Sequence, residues 1–472
     1  MIRVFKETDK QEINEASKRI LAEVGIKLYS KRIYGMMVDA GAIPDRQDEH
    51  KVFLPEKMIE KYLALCPREF TIMDRKGNKK IINMHTPPSY FTSLAIHYLR
   101  GQSKNVTEIG ENELIEFTRV VDHLENVYGI VGTGLKEYPP KCVDFTGFKL
   151  MAQYSSKHLR PVIFSAQGAE AIMEMADVIL EGKPLKENMF FSVGFSIANP
   201  LTWSETSLDV FYNTRGYGIP VMINSGPMVG GTSPVTLAGC VALANAGIIS
   251  GIVINQVIEP GRPCIYNAGF AHVFDMRTMQ VLSGAPENAL LQVAGAEMAK
   301  FHNLPCASRA LSDALMMDSQ ASYEKMMTLL SHTMANINFV WGVGNIETSM
   351  TLSPEVAVLD NEMIGNCQRF CKGIIVDKEH IALDLIREVS FKNSYLETDH
   401  TLRFFKEEIR HSYLPNRTNR VAWQKSGSKS IEEKACDVVK NILNKKADIY
   451  LTGSQINRLE KIQEKYMRMI HK

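Results

Sequence analysis

From residue 89 onward the chain alternates short apolar runs with longer amphipathic ones. The apolar runs have strand length and fall at 90–96, 128–133, 161–166, 190–195, 219–225, 264–269, 306–310 and 339–344. Between them, 111–126, 142–157, 167–181, 204–216, 234–257, 284–302 and 318–336 space their apolar residues as helices do, and another helix is predicted near 358–374. Eight strands alternating with eight helices across 89–375 predict an α/β chain folded as a (β/α)8 TIM barrel. A doubly wound open sheet is the alternative; no GxGxxG follows the first strands, as its dinucleotide-binding form would require.

Both flanks follow other rhythms. Residues 1–65 are amphipathic and helical, and 69–85 has the rhythm of a hairpin turning at Gly77 and Asn78. Residues 1–88 are therefore expected to form an N-terminal cap of helices and a hairpin, with 89–375 as the catalytic barrel. Residues 376–472 are read as a C-terminal helical extension, with a linker at 425–429 and helices from about 430 and near 453–470. That extension either packs on the barrel or a partner, or is a solvated amphipathic tail.

Composition narrows the picture. The 54 Lys and Arg against 53 Asp and Glu give a formal charge of +1, which offers no electrostatic reason to expect nucleic acid or an anionic membrane. The charged N-terminus lacks a signal peptide's apolar centre. The apolar stretch at 235–256 is interrupted by Asn245, Ser250, Asn255 and glycines, so a buried helix is expected rather than a membrane span. Eight scattered cysteines without a CxxC pair read as reduced thiols in a cytoplasmic protein. His302 and Cys306 have metal-like spacing but no third ligand, so no metal is expected. Cys367 and Cys371 are expected to face the core, and Glu324 and Lys325 to form a solvated helix face.

In such a barrel the chemistry lies at the C-terminal ends of the strands. The candidates are His97, Tyr98, Glu137, Tyr138, Ser165, Gln167, Phe195, Ser196, Asn199, Asn224, Ser225, Tyr266, Asn267, Arg309, Asp313, Trp341, Asn345 and Glu347. Aromatic, amide and hydroxyl groups dominate, which suits an organic cation held by ring faces together with a carboxylate. Arg309, inside a strand, must reach a pocket or a buried partner, because an unpaired inward charge is too costly. The run INSGPMVGGTSPVTLAG (223–239) lacks the GK[ST] of a phosphate loop. Its glycines read as clearance for something large and flat over the barrel mouth.

SSKHLRPVIFS (155–165), FSVGFSIANPLTW (191–203), the 223–239 run and SDALMMDSQASYEKMMTLLSHTMANINFVWGVGNIETSMTLSPEVAVLDNEM (312–363) resemble the trimethylamine methyltransferase family, in order, over about 30–415. The resemblance implies a (β/α)8 barrel that moves a methyl group from a methylated amine to the Co(I) corrinoid of a separate small protein docked over its mouth. Founding members carry pyrrolysine; this chain has only the twenty standard residues, which implies the branch acting on quaternary amines such as glycine betaine, proline betaine, carnitine or γ-butyrobetaine. The expected roles are Tyr98 and Trp341 as aromatic cage, Arg309 as carboxylate anchor, and His97, Asn345 and Glu347 as polar orienters. Glu137 and Tyr266 complete the substrate-binding set, and Asn199, Ser225, Gly226, Gly230 and Gly231 face the corrinoid. A homo-oligomer without zinc is expected. Three rivals stay open: action on trimethylamine itself, acid–base chemistry by His97 with Glu137, and a non-catalytic tether for the corrinoid protein.

Overall fold

The computed structural model describes residues 2–269, 271–391 and 394–470. Eight short strands carry the centre: β1 (Ser89–Phe91), β2 (Val127–Val131), β3 (His158–Arg160), β4 (Val193–Ser196), β5 (Val221–Asn224), β6 (Cys264–Asn267), β7 (Ala307–Arg309) and β8 (Phe339–Trp341). Most of their residues are buried, because both faces of the ring are covered. After each strand comes a helix: α1 (Glu111–Asp122), α2 (Pro140–Tyr154), α3 (Ala166–Leu180), α4 (Glu205–Asn213), α5 (Leu237–Ile258), α6 (Pro286–Phe301), α7 (Ser319–Met334) and α8 (Pro354–Lys372).

All strand pairings in this set are parallel and follow chain order. β1 pairs β2, β2 pairs β3, β4 pairs β5, β5 pairs β6 and β7 pairs β8. β8 then returns to β1, with Trp341 opposite Phe91. The seams between β3 and β4 and between β6 and β7 are thinner, made by the bridges Leu159↔Phe191 and Tyr266↔Cys306. Pairing therefore runs round a closed ring. Register fixes what its C-terminal rim presents: Val131 lies opposite Arg160, Ser196 opposite Asn224, Asn224 opposite Asn267 and Arg309 opposite Trp341.

The third strand lies earlier than its apolar pattern predicts. The run 161–166 begins with a proline, which cannot donate to a ladder, and pairing stops at Arg160. This shift moves an arginine from the approach of the strand to its tip.

Helix α5 is apolar all round and, by length and composition, could cross a membrane, but 78% of its most apolar window is buried. Its covers are the ring and three N-terminal helices, Glu7–Arg19, Lys31–Asp39 and Glu56–Leu65. Its inner amides have partners there: Asn245 Nδ2 donates to Ser17 Oγ at 2.9 Å. The predicted hairpin forms, Phe70–Met73 pairing antiparallel with Lys79–Ile82.

The C-terminal helices pack on the ring's helices, which decides between the two readings left open for them. Helix Gly453–Ile470 lies on α2 and α3, with Tyr466 Oη donating to Glu174 at 2.7 Å and Gln463 Nε2 to Thr146 Oγ1 at 3.0 Å. Helix Ile431–Leu443 lies on α8 and α1.

Glu324 and Lys325 are not solvated. Both are buried: Glu324 accepts from Ser312 Oγ at 2.6 Å and the Asp313 amide at 2.8 Å, and Lys325 pairs with Asp360 at 2.9 Å. Cys367 faces the core, whereas Cys371 is exposed.

Candidate functional site

The C-terminal rim of the ring opens into a cavity of about 430 Å³. The strands supply Val131, Arg160, Phe195, Ser196, Asn224, Arg309 and Trp341; the loops above add Ser93, Ile96, Val162, Thr348 and Met350 among others. Arg309 and Trp341, register partners on β7 and β8, thus reach the same space.

Two guanidinium groups face it, and no carboxylate is among its lining residues. Arg160 is buried, donates from Nη1 to the Pro161 carbonyl at 2.7 Å, and lies 5.0 Å over the Trp341 ring. Its Nε makes no hydrogen bond among the described residues, nor does the Trp341 indole N–H. Gly194 on β4 leaves room for this arm, since a Cβ there would lie 2.0 Å from Arg160 Nη2. Arg309 Nη2 meets His272 Nε2 at 2.6 Å. Burial lowers both arginines, Arg160 to about 9 and Arg309 to about 10, so both remain charged at neutral pH. Burial, followed by the Arg309 charge, holds His272 well below the usual histidine range. A cavity rich in donors and free of acids is a site for an anion.

One wall is unusual in its backbone. Glu347, Thr348 and Ser349 have φ of 53°, 52° and 76°, a left-handed conformation that non-glycine residues rarely take in succession. Side-chain contacts hold it: Thr348 Oγ1 donates to Asp313 Oδ1 at 2.7 Å and Ser349 Oγ to the Leu94 carbonyl at 2.8 Å. Asp313 also accepts the amides of Ser283 and Gly284 at 2.7 and 2.9 Å.

A second cavity, of about 330 Å³, adjoins the first and shares Ser196 and Asn224 with it. Asn199, Gly226, Thr232 and His272 line it. Its floor is the glycine-rich segment after β5. There the Met228 carbonyl accepts the amides of Gly231, Thr232 and Ser233, each at 3.0 Å, and Gly230 turns with φ of 80°.

The remaining sequence candidates lie elsewhere. Tyr98 is buried and donates to Glu116 at 3.3 Å, outside either cavity. Tyr266 points out of the ring, its hydroxyl donating to Asn245 on α5 at 2.8 Å; the next residue, Asn267, points inward to Asn224. Glu137 is exposed near the start of α1, where a Cβ on Gly110 would lie 2.2 Å from its Oε1. Asn345 is buried behind the wall. His97 and Glu347 lie near one another, Nδ1 to Oε2 at 3.7 Å, while Glu347 accepts from Thr351 Oγ1 at 2.5 Å; neither lines a cavity. Ser225 is buried and reaches Asn199 at 3.4 Å, and Gly230 and Gly231 lie at the exposed turn.

The sequence reading passed over Arg160 and His272. Arg160 stands before an apolar run, not within one, so placing β3 at 161–166 leaves it on the approach to the strand. His272 has no periodicity to mark it.

The sequence of residues 1–466 matches the model of the trimethylamine methyltransferase (MTTB) family. The chain belongs to this family. Among its relatives, the glycine betaine methyltransferase of Desulfitobacterium hafniense (strain Y51) is 29% identical over 443 residues, covering 91% of this chain and 90% of that one. Trimethylamine methyltransferase MttB of Methanosarcina barkeri (strain Fusaro / DSM 804) is 26% identical over 461 residues, covering 93% and 91%. The fold is similar to the Methanosarcina barkeri monomethylamine methyltransferase (MtmB), with a TM-score of 0.51 at 12% identity over 92% of this chain and 94% of that one. Among the described residues, no group of three or more His, Cys, Asp or Glu is placed to hold a metal ion.

Proposed function

We propose that this family member is a (β/α)8 barrel enzyme, 89–375 flanked by 1–88 and 376–472, that takes a methyl group from a betaine for delivery to a corrinoid carried by a separate small protein. The observation that carries the choice of substrate is the pair Arg160 and Arg309 in a cavity without acids. A protonated tertiary amine brings only positive charge to two guanidinium groups, which repel it in a medium that screens poorly. A betaine brings a carboxylate as well. The name of the Desulfitobacterium relative points the same way.

In this reading Arg160 and Arg309 bind the carboxylate, and Ile96, Val162 and Phe195 surround the methylated nitrogen with apolar surface. When one methyl leaves, the C–N electron pair stays on nitrogen and yields a neutral tertiary amine, so no side chain has to supply a proton. The absence of an acid in the cavity is then chemically sufficient. The corrinoid, when bound, supplies the nucleophile that takes the methyl. The second cavity's lining of two amides, two hydroxyls and a neutral histidine fits the edge of an uncharged, amide-bearing macrocycle, with Asn199, Gly226 and Thr232 as the residues that would meet it.

The test mixes purified protein with its reduced corrinoid protein and follows the cobalt absorbance. Betaines should discharge the Co(I) spectrum, while trimethylamine and tetramethylammonium should leave it unchanged. Equal turnover of trimethylamine would overturn the assignment to betaines. No change with any amine would favour a tether without catalysis.

A further inference from the structure

We infer that residues 370–413 form an interface between two copies of this chain, related by a two-fold axis. The segment leaves the end of α8 and passes through the short helices Lys378–Ile381 and Leu383–Val389 and the helix Asp399–Glu408. It then returns to α8. Arg369 donates to the Glu408 carbonyl at 2.8 Å and pairs with its carboxylate at 3.0 Å, and Arg410 donates to Asn366 Oδ1 at 2.8 Å. Within the segment, Phe404 is buried beside His380 and His400, with ring centres 4.9 and 4.7 Å away. None of the described residues from 371 to 403 is buried.

Yet the segment is rich in apolar side chains. Ile374, Val376, Phe391, Leu396, Leu402 and Ile409 are each more than half exposed, and Phe391 is completely so. Ile381, Leu383 and Leu385 line an open groove of about 760 Å³ beside His400. Together these side chains expose on the order of 1,000 Å² of apolar surface, whereas the largest such patch on a lone soluble protein is about 300–600 Å². Short helices are ordered by burying an apolar face, and this chain offers these helices nothing to bury theirs against.

Four features name a second copy as the cover. The first is area: a stable interface takes about 800 Å² from each partner, which the patch can supply. The second is shape. One segment carries both a projecting Phe391 and a groove, and a two-fold interface lets each copy's projection meet the other's hollow. The third is charge. Acidic and basic residues nearly balance over 371–413, so a copy of the segment is not repelled, and no excess favours an anionic membrane or a strongly charged partner. The fourth is place. α8 starts beside the cavity wall, and its 19 residues carry the chain about 28 Å along the ring before the segment begins. No residue of the segment lines either cavity, so a partner serving the barrel mouth has no need of it. The inference does not depend on the methyl-transfer reading.

The test is the mass of the full-length protein in solution, measured by sedimentation equilibrium at micromolar concentration. The parent is compared with the double variant Phe391→Asp/Leu402→Asp and with Val24→Asp, a change at an exposed apolar position elsewhere. The parent should contain an even number of chains. The double variant should halve that mass with an unchanged circular dichroism spectrum, because it places carboxylates on a face that must be dry. Val24→Asp should keep the parent's mass. The parent alone gives a second reading: dilution to single chains should speed amide exchange in 378–389 and 399–408 and leave α1 to α7 as they were. A parent that is a single chain at micromolar concentration overturns the inference, as does an assembly whose mass the double variant leaves unchanged. A fall to a third of the parent's mass would rule out the two-fold pairing. A single-chain parent that binds its corrinoid protein only while Phe391 and Leu402 are intact would give the patch to that partner instead and overturn the inference as well.

Discussion

At the scale of single residues, the two arginines make separable demands. Arg309→Lys keeps a charge but loses the planar fork, and loss of a charged hydrogen-bonding partner costs about 1.5–3 kcal/mol. A tenfold to roughly hundredfold fall in kcat/KM for a betaine is expected, with a much smaller change for any carboxylate-free quaternary amine that is turned over. Arg160→Lys should behave likewise; equal losses on both substrate types would make either residue structural. The pH dependence carries a sign that distinguishes binding from folding. Arg160, lowered to about 9 by burial, loses its proton before Arg309 at about 10. Betaine affinity should therefore fall as pH rises through about 9, and constant affinity from about pH 8 to about pH 10 would rule out an anion clamp. Stability moves the other way. Above about 9 the unfolded chain holds more protons on these groups than the folded one, so their burial penalty is relieved as pH rises, up to the unfolded arginine value.

At the scale of elements, the rim of β8 depends on a buried ion pair. Lys325 on α7 and Asp360 on α8 lie 2.9 Å apart, and they also hold the backbone beyond Trp341: Lys325 donates to the Gly342 carbonyl at 2.5 Å, and the Gly344 amide donates to Asp360 at 2.7 Å. Lys325→Met would leave a carboxylate buried without its countercharge, at a cost of about 3–5 kcal/mol. A clear drop in melting temperature is expected; an unchanged melting curve would show that the site admits water. The sequence could show α7 and α8 but not this pair. SYEKMM has the look of a surface turn of helix; it is interior because α8 packs on Lys325 and the loops carrying Gly284 and Ser312 close over Glu324. The alternation of strand and helix was legible because the strands are buried on both faces and most of the helices on one, α5 being the helix that is apolar all round. The position of β3 was not, because Pro161 starts an apolar run that belongs to the loop. Inward and outward facing at a strand tip turns on one residue, which is why Arg309 and Trp341 reach the cavity while Tyr266 points to α5.

At the scale of the whole molecule, the ends of the chain act as clamps on the ring. The N-terminal helices cover α5, whose apolar surface no membrane or water-facing role explains, and the last helix covers α2 and α3. Leu459 and Tyr466 of that helix are buried, and it reaches back through Gln455 Nε2 to the Ile179 carbonyl at 3.2 Å and through Tyr466 to Glu174 at 2.7 Å. Ending the chain at residue 452 would expose the apolar residues of α2 and α3 that these side chains cover. Burying two such large side chains contributes roughly 3–6 kcal/mol. The shortened protein should melt earlier and aggregate more readily, since the face it uncovers is contiguous. Material that stays folded at low temperature should bind a betaine with affinity close to the full chain, because the helix supplies no residue to either cavity. Loss of betaine binding in a folded truncation would mean that the clamp also sets the shape of the rim, through Arg160 at the tip of the strand between α2 and α3.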